Sequence, residues 1–222
     1  MAKRYDQYCP VCHALGLVGE RWALLIVREL LRGPKRYTDL VEGLPGIGTN
    51  ILAARLRDLE QGGIVRKHKL PPPAASTVYE LTEYGAELEE AVYALARWGA
   101  RSLGPPGPGE ELYPEWGLNA FAALFDPEAA RGLTETYVLR IRDDVFTVRL
   151  DQGRLDVELG AAEDADLDAA VDTETFFGLA SRELPPRIAL AKGDVELRAG
   201  KPATLERFFT VFNFAPRTQT AA

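Results

Sequence analysis

Cysteine is nearly absent from this chain of 222 residues, with Cys9 and Cys12 the only two. Two thiols three positions apart cannot hold a fold together, so a disulfide scaffold is excluded. Histidine is as scarce: His13 and His68 are the only ones. A four-ligand zinc site therefore lacks its usual donors, and neither metal nor cofactor is expected. No apolar run approaches the eighteen or so residues of a membrane helix, and Met1–Pro10 carries no signal-peptide stretch. The reading is cytoplasmic, with no membrane partner. No phosphate-binding glycine loop, dinucleotide fingerprint or nucleophile–base pairing occurs, so the expectation is a binding protein and not an enzyme. The acidic run Glu163-Asp164-Ala165-Asp166-Leu167-Asp168 lacks calcium-loop spacing and reads as a solvated loop.

The charge that is present is unevenly placed. The net charge is −7, which by itself disfavours nucleic acid. Yet residues 1–103 hold 14 Lys/Arg against 12 Asp/Glu, and the remainder 12 against 21. Contact with DNA depends on a local basic surface, which only the first part can supply. The break between the parts is the run Gly104-Pro105-Pro106-Gly107-Pro108-Gly109, which can hold neither a helix nor a central strand. The expected organisation is a first domain over 1–103, a linker over 104–114 and a second domain over 115–222.

The first part alternates helices and turns. Arg21–Leu31 is apolar nearly all round, as a buried helix is, and Gly33-Pro34 stops it. Tyr37–Leu44 forms a short helix and Pro45-Gly46 a tight turn. A further helix runs from Thr49 to Gln61, ended by Gly62-Gly63. Strands are expected at Ile64–Leu70 and Thr77–Leu81, followed by one long helix capped by Thr82 and running to Leu103. Helix, turn, helix and β-hairpin in this order make a winged helix-turn-helix. In the Thr49–Gln61 helix, Leu52, Leu56 and Leu59 fall within about 60° of one another on a wheel of roughly 100° per residue, and must face the core. The opposite face carries Asn50, Ala54, Arg57 and Gln61. Asn50 and Arg57 can fork onto adenine and guanine edges, and Ala54 lets the helix approach a groove floor. Thr49 lies at an amide end that suits phosphate. Arg55, on the flank, is suited to a phosphate or an internal ion pair, and Arg36 adds a cation just before the Tyr37–Leu44 helix. In the hairpin, alternation puts Lys67 and Lys69 on one face and Arg66 and His68 on the other.

Residues 9–99 resemble the HxlR-type winged-helix regulators. The resemblance is carried by CPV at Cys9–Val11 and GERWALLIVRELLRGPKRYTDL from Gly19 to Leu40. It continues through LPGIGTNILAARLRDLEQGGIV from Leu44 to Val65, YELTEYG at Tyr79–Gly85, and Trp98-Gly99. It implies a homodimer on a near-palindromic double-stranded operator, joined by the N-terminal segment and the long last helix, where Leu88, Val92, Leu95 and Trp98 recur. Cys9 stands where some relatives place a redox sensor. Cys12 is a departure that would allow a second thiol to take part. Gly48 stands where serine is common, Asn50 where a basic residue is common, and Ala74-Ala75-Ser76 replaces a basic wing tip. These departures imply weaker non-specific affinity.

The second part reads as α+β. A helix is expected over Leu118–Arg131 with a break suggested by Pro127. Strands follow at Thr136–Ile141, Val145–Leu150, Arg154–Leu159 and Leu167–Asp172, in a meander-like sheet with turns at Asp143-Asp144 and Asp151-Gln152-Gly153. Thr173–Ser181 is a helix, Val195–Arg198 a strand and Ala203–Phe212 a closing helix. Aromatic residues cluster at Trp116, Phe121, Phe125, Phe176, Phe177, Phe208 and Phe212, and are more often core than cavity. Residues 115–214 resemble sterol carrier protein type 2-like domains, through EWGLNAFAALFDPEAARGLTETYVLRI, DVFTVRL and AKGDVELRAGKPATLERFFTVF. That implies a sheet backed by helices and an apolar site for a lipid, acyl chain or polyketide-like molecule. Three readings stand at this level: a DNA-binding regulator controlled by an apolar ligand, a lipid carrier that dimerises through its winged helix, and a redox-switched regulator acting through Cys9 and Cys12.

Overall fold

The computed structural model describes residues 5–71, 73, 75–103, 107 and 114–213. Most of the Gly/Pro segment expected as a linker lies outside them. The chain divides into two compact units, residues 1–92 and 93–222.

In the first unit, α1 (Pro10–Val18) starts with proline at a position where no amide partner is needed. Trp22, with φ of 79°, turns the chain into α2 (Ala23–Leu30). Then come β1 (Lys35–Arg36), α3 (Tyr37–Gly43), α4 (Thr49–Gln61), β2 (Val65–Lys69), β3 (Thr77–Leu81) and α5 (Glu83–Ala86). The turn between α3 and α4 uses Gly46 at φ of 84°. Leu52, Leu56 and Leu59 lie in the core with Ile26, Leu40, Leu44 and Ile64, as the helical spacing requires. The hairpin gains a third strand: β1 pairs antiparallel with β3, Lys35 opposite Tyr79 and Arg36 opposite Val78. A two-residue strand shows no alternation, so pairing alone reveals it.

Glu29 on α2 is 2% exposed, and its carboxylate accepts from Lys35 Nζ at 2.6 Å and Arg28 Nη2 at 2.8 Å. A buried carboxylate is tolerable only with such partners. Gly43 leaves the room for it, because a Cβ there would stand 2.5 Å from Glu29 Oε2.

The single long helix expected over 82–103 is two helices, α5 and α6 (Leu88–Leu103), with a turn at Glu87. The cause is the docking of α5. Thr82 Oγ1 donates to Gly63 O at 2.6 Å and accepts from Gly85 N at 2.9 Å, while Thr82 N donates to Ile64 O at 3.0 Å. These bonds fix α5 on the turn before the wing, and the helix restarts at Leu88.

The second unit is α+β. It contains α7 (Pro114–Leu124), β4 (Thr134–Ile141), β5 (Asp144–Asp151), β6 (Arg154–Leu159), β7 (Leu167–Val171), α8 (Thr173–Ala180), α9 (Pro186–Lys192), β8 (Val195–Ala199) and α10 (Pro202–Val211). The helix expected to reach Arg131 ends at Leu124, and Asp126 Oδ1 caps the following turn by accepting from Glu128 N and Ala129 N. Among the described residues the sheet order is β6-β5-β4-β7-β8. Only β4, β5 and β6 form a meander. Their turns lie at Arg142-Asp143 and Gln152-Gly153, the first one residue earlier than expected.

The meander reading fails at β7, which pairs parallel to β4 on its far side. The crossover is anchored at Thr147, a fully buried residue whose hydroxyl donates to Gly160 O at 2.8 Å and accepts from Ala162 N at 3.0 Å. The acidic run is partly structural as well. Asp166 Oδ2 accepts from Thr136 N at 2.8 Å, and Asp168 takes Arg140 in a two-toothed pair at 2.9 Å each. Helix α9 lies between the expected Thr173–Ser181 helix and the expected Val195–Arg198 strand, and opens at Pro185-Pro186. Proline is placed at its first turn, and Gly193 at φ of 80° ends it.

Candidate nucleic-acid interface

The helix-turn-helix is α3 and α4. Tyr37, first residue of α3, donates its hydroxyl to the Thr49 carbonyl at 2.7 Å and so ties the two helices at their entry points. Helix α4 then turns Asn50, Arg57 and Gln61 outward, all exposed, with Ala54 half-exposed between them. Arg57 folds back along the helix, Nε donating to Ala53 O at 3.2 Å, a surface contact that a side-chain rotation releases. Thr49 is exposed at the helix start, and Arg36 is exposed just before α3. Arg55 takes the internal alternative: it is half-buried and paired with Asp58 at 2.7 Å, with Glu20 at 3.9 Å.

The wing is electrostatically one-sided. Lys67 and Lys69 are exposed, with Lys67 Nζ over the Tyr79 ring at 5.5 Å. On the other face Glu80 sits opposite Arg66 in the ladder, accepts from Arg66 Nε at 2.5 Å and lies 3.4 Å from His68 Nδ1. The Arg66 guanidinium of that face is thus answered inside the hairpin. Sequence reasoning missed Glu80, because the six residues between the strands leave their register open.

Residues 17–106 match the HxlR-like helix-turn-helix family model, and residues 118–212 match the SCP-2 sterol transfer family model. The HTH-type transcriptional regulator YodB of Bacillus subtilis (strain 168) is 37% identical over 98 residues, spanning 44% of this chain and 88% of that protein. The chain belongs to the HxlR-like helix-turn-helix family. An uncharacterized HTH-type transcriptional regulator of Synechocystis sp., sll1512, is 35% identical over 92 residues, 41% of this chain and 68% of that protein. The solved structure of the reduced form of YodB from B. subtilis covers 47% of this chain and 100% of its own, with 35% identity and a TM-score of 0.39. This HxlR-like chain is therefore a transcriptional regulator in which a sterol-carrier-like domain follows the helix-turn-helix.

The other residues singled out in this HxlR-like chain are placed as follows. The stripe on α6 divides: Leu88 and Val92 pack against the core of the first unit, whereas Leu95 and Trp98 are 50% and 71% exposed. Tyr8, Val11 and Leu15, at and before α1, are exposed too. Cys9 is the residue before α1. The amides of Cys12 and Val11 face its thiol and hold it below the ordinary thiol range, without closing a capping bond. Burial and the neighbouring Cys9 push the Cys12 thiol the other way, and Cys12 Sγ contacts Gln7 Oε1 at 3.3 Å.

In the second unit Phe121, Phe125, Phe176, Phe177, Phe208 and Phe212 belong to one cluster. The Phe121 ring meets Phe146, Phe176, Phe208 and Phe212 edge-on, with centroids between 5.3 and 6.2 Å apart. Phe208 stacks on Phe212 at 4.6 Å. Phe125 and Phe177 are half-buried at its margin, against Phe212 and Phe176 respectively. Trp116, also half-buried, stands on α7 near its start. No single helix among the described residues is long and apolar enough to cross a membrane.

Proposed function

We propose that this regulator binds a near-palindromic operator as a homodimer, with α4 of each copy in the major groove and Lys67 and Lys69 of each wing on the phosphate backbone. We propose also that an apolar small molecule held by the second unit controls it, a reading supported by the match of residues 118–212 to the SCP-2 sterol transfer family model. The observation that carries the DNA reading is the outward face of α4. It presents a hydrogen-bonding fork at each end of a small residue, beside a wing whose free cations all lie on one side. Arg57→Ala is expected to relax discrimination at one base pair of each half-site by about 1–3 kcal/mol. Lys67→Ala is expected to weaken binding to all sequences alike and to reduce the salt slope by about one unit. Titrations of a selected operator and of random DNA at several salt concentrations separate the two effects. Unchanged binding in both variants rules the docking out.

The dimer reading rests on Leu95 and Trp98, large apolar side chains left in water by the protomer. Trp98→Glu puts a charge where the protomer itself has no packing to lose, so it should leave the fold intact and yield monomers. Light scattering at micromolar concentration reads this. A variant that stays dimeric removes Trp98 from the interface, and a parent that is monomeric removes the two-half-site arrangement.

A further inference from the structure

Ile51 is the third residue of α4 and is 47% exposed. Among the described residues it is the only large hydrophobic side chain between Leu25 and Tyr84 left open to solvent. Helix formation does not call for it, since a β-branched residue is a weaker helix former than leucine or alanine. The core does not take it either, because Leu52, Leu56 and Leu59 fill that side. On the helical wheel Ile51 lies about 60° from Ala54, inside the outward half of the helix. Its neighbours on that flank are Arg55 and Asp58, which neutralise each other at 2.7 Å. An uncharged, apolar contact point thus stands beside Asn50 at the end of the recognition helix that approaches base edges first.

We infer that Ile51 reads a thymine in each half-site through the C5-methyl group, the one apolar feature of the major-groove floor. The inference rests on the DNA-binding reading above. It adds that the operator contains, beside the base pair contacted by Asn50, a thymine recognised by its methyl group and not by its hydrogen-bonding edge.

The test takes an operator selected from a random pool by the full chain and replaces its thymidines one at a time with deoxyuridine, which removes only the methyl. The parent is expected to lose affinity about fourfold at one position per half-site, and roughly fifteenfold with both half-sites substituted, the value of one buried methyl group in each. Ile51→Ala should bind the unmodified operator more weakly and show no loss at that position. Because Ile51 is exposed, the variant keeps its fold, which a thermal melt checks. If no deoxyuridine position matters to the parent, or if Ile51→Ala shows the same loss, the role of Ile51 is overturned while DNA binding stands. If the parent selects no DNA from the pool, the DNA-binding reading falls first and this inference with it.

Discussion

Gly85→Ala should lower the melting temperature of the N-terminal unit by roughly 10–20 °C, the shift that about 3 kcal/mol produces in a domain of this size. The sign is the informative part. Glycine within a helix is ordinarily a weakness, and alanine there gains up to about 1 kcal/mol. At Gly85 a Cβ would stand 2.0 Å from Ile64 O and 2.9 Å from Ile64 C, both backbone atoms. Neither side can yield cheaply. Ile64 is 1% exposed, its N–H donates to Leu59 O, and its carbonyl accepts from Thr82 N. The methyl group must therefore push α5 off the turn between α4 and the wing, breaking the bonds of Thr82 as well. Circular dichroism melts of parent and variant decide the matter. A neutral or stabilising Gly85→Ala would mean that α5 does not sit this close.

Phe208→Ala should cost the second unit about 3–5 kcal/mol, the range for removing a large aromatic from a packed core. Phe208 is fully buried, with Tyr137 and Phe209 at 5.1 Å and Phe212 at 4.6 Å between ring centroids. Its neighbours are pinned, since Tyr137 donates its hydroxyl to Glu135, which is in turn held by two bonds from Arg207. Burial and the adjacent carboxylate together push the Tyr137 phenol well above its ordinary range, so the hydroxyl stays protonated and keeps donating. The void left by the ring is lined by apolar groups and should stay dry, as such cavities do, and accept a small apolar guest. Thermal melts of the full chain with and without benzene or indole read both effects. The expected result is a large drop that the guest partly restores in the variant. A drop below about 1 kcal/mol would mean that the rings are not closely packed. A parent that responds as strongly as the variant would mean that the cluster opens unaided, which is what control by an apolar ligand demands.

Local pattern accounts for the parts of the fold that were legible from residues alone. Helix α4 is bounded by glycines on both sides, carries its leucines at helical spacing, and runs over the expected residues Thr49–Gln61. Gln152-Gly153, both at positive φ, close the β5–β6 turn where turn chemistry points. What escaped depends on contacts between distant residues. The pairing of Lys35 with Tyr79, the parallel seating of β7 against β4 and the meeting of Glu80 with Arg66 leave no periodic mark in the segments that make them. The same holds for the outward surface. The helical wheel separates Arg57 from Arg55 but leaves Arg55 two roles, a phosphate or an internal ion pair, and its neighbours Asp58 and Glu20 decide for the second.

Glu29 grips β1 through Lys35 and lies under α3 at Gly43, while Tyr37 holds the entry of α4. These bonds join α2, β1, α3 and the first turn of α4 into one body, so the reading head has no joint of its own. A signal arriving from elsewhere in the protein therefore has little purchase on which bases α4 recognises. In the proposed homodimer, what it can alter is the phase of one whole head against the other along the double helix, one turn of which is about 34 Å. Under the proposed homodimeric binding, half-site sequence is then fixed by the fold, and the spacer between half-sites is the coordinate left for regulation.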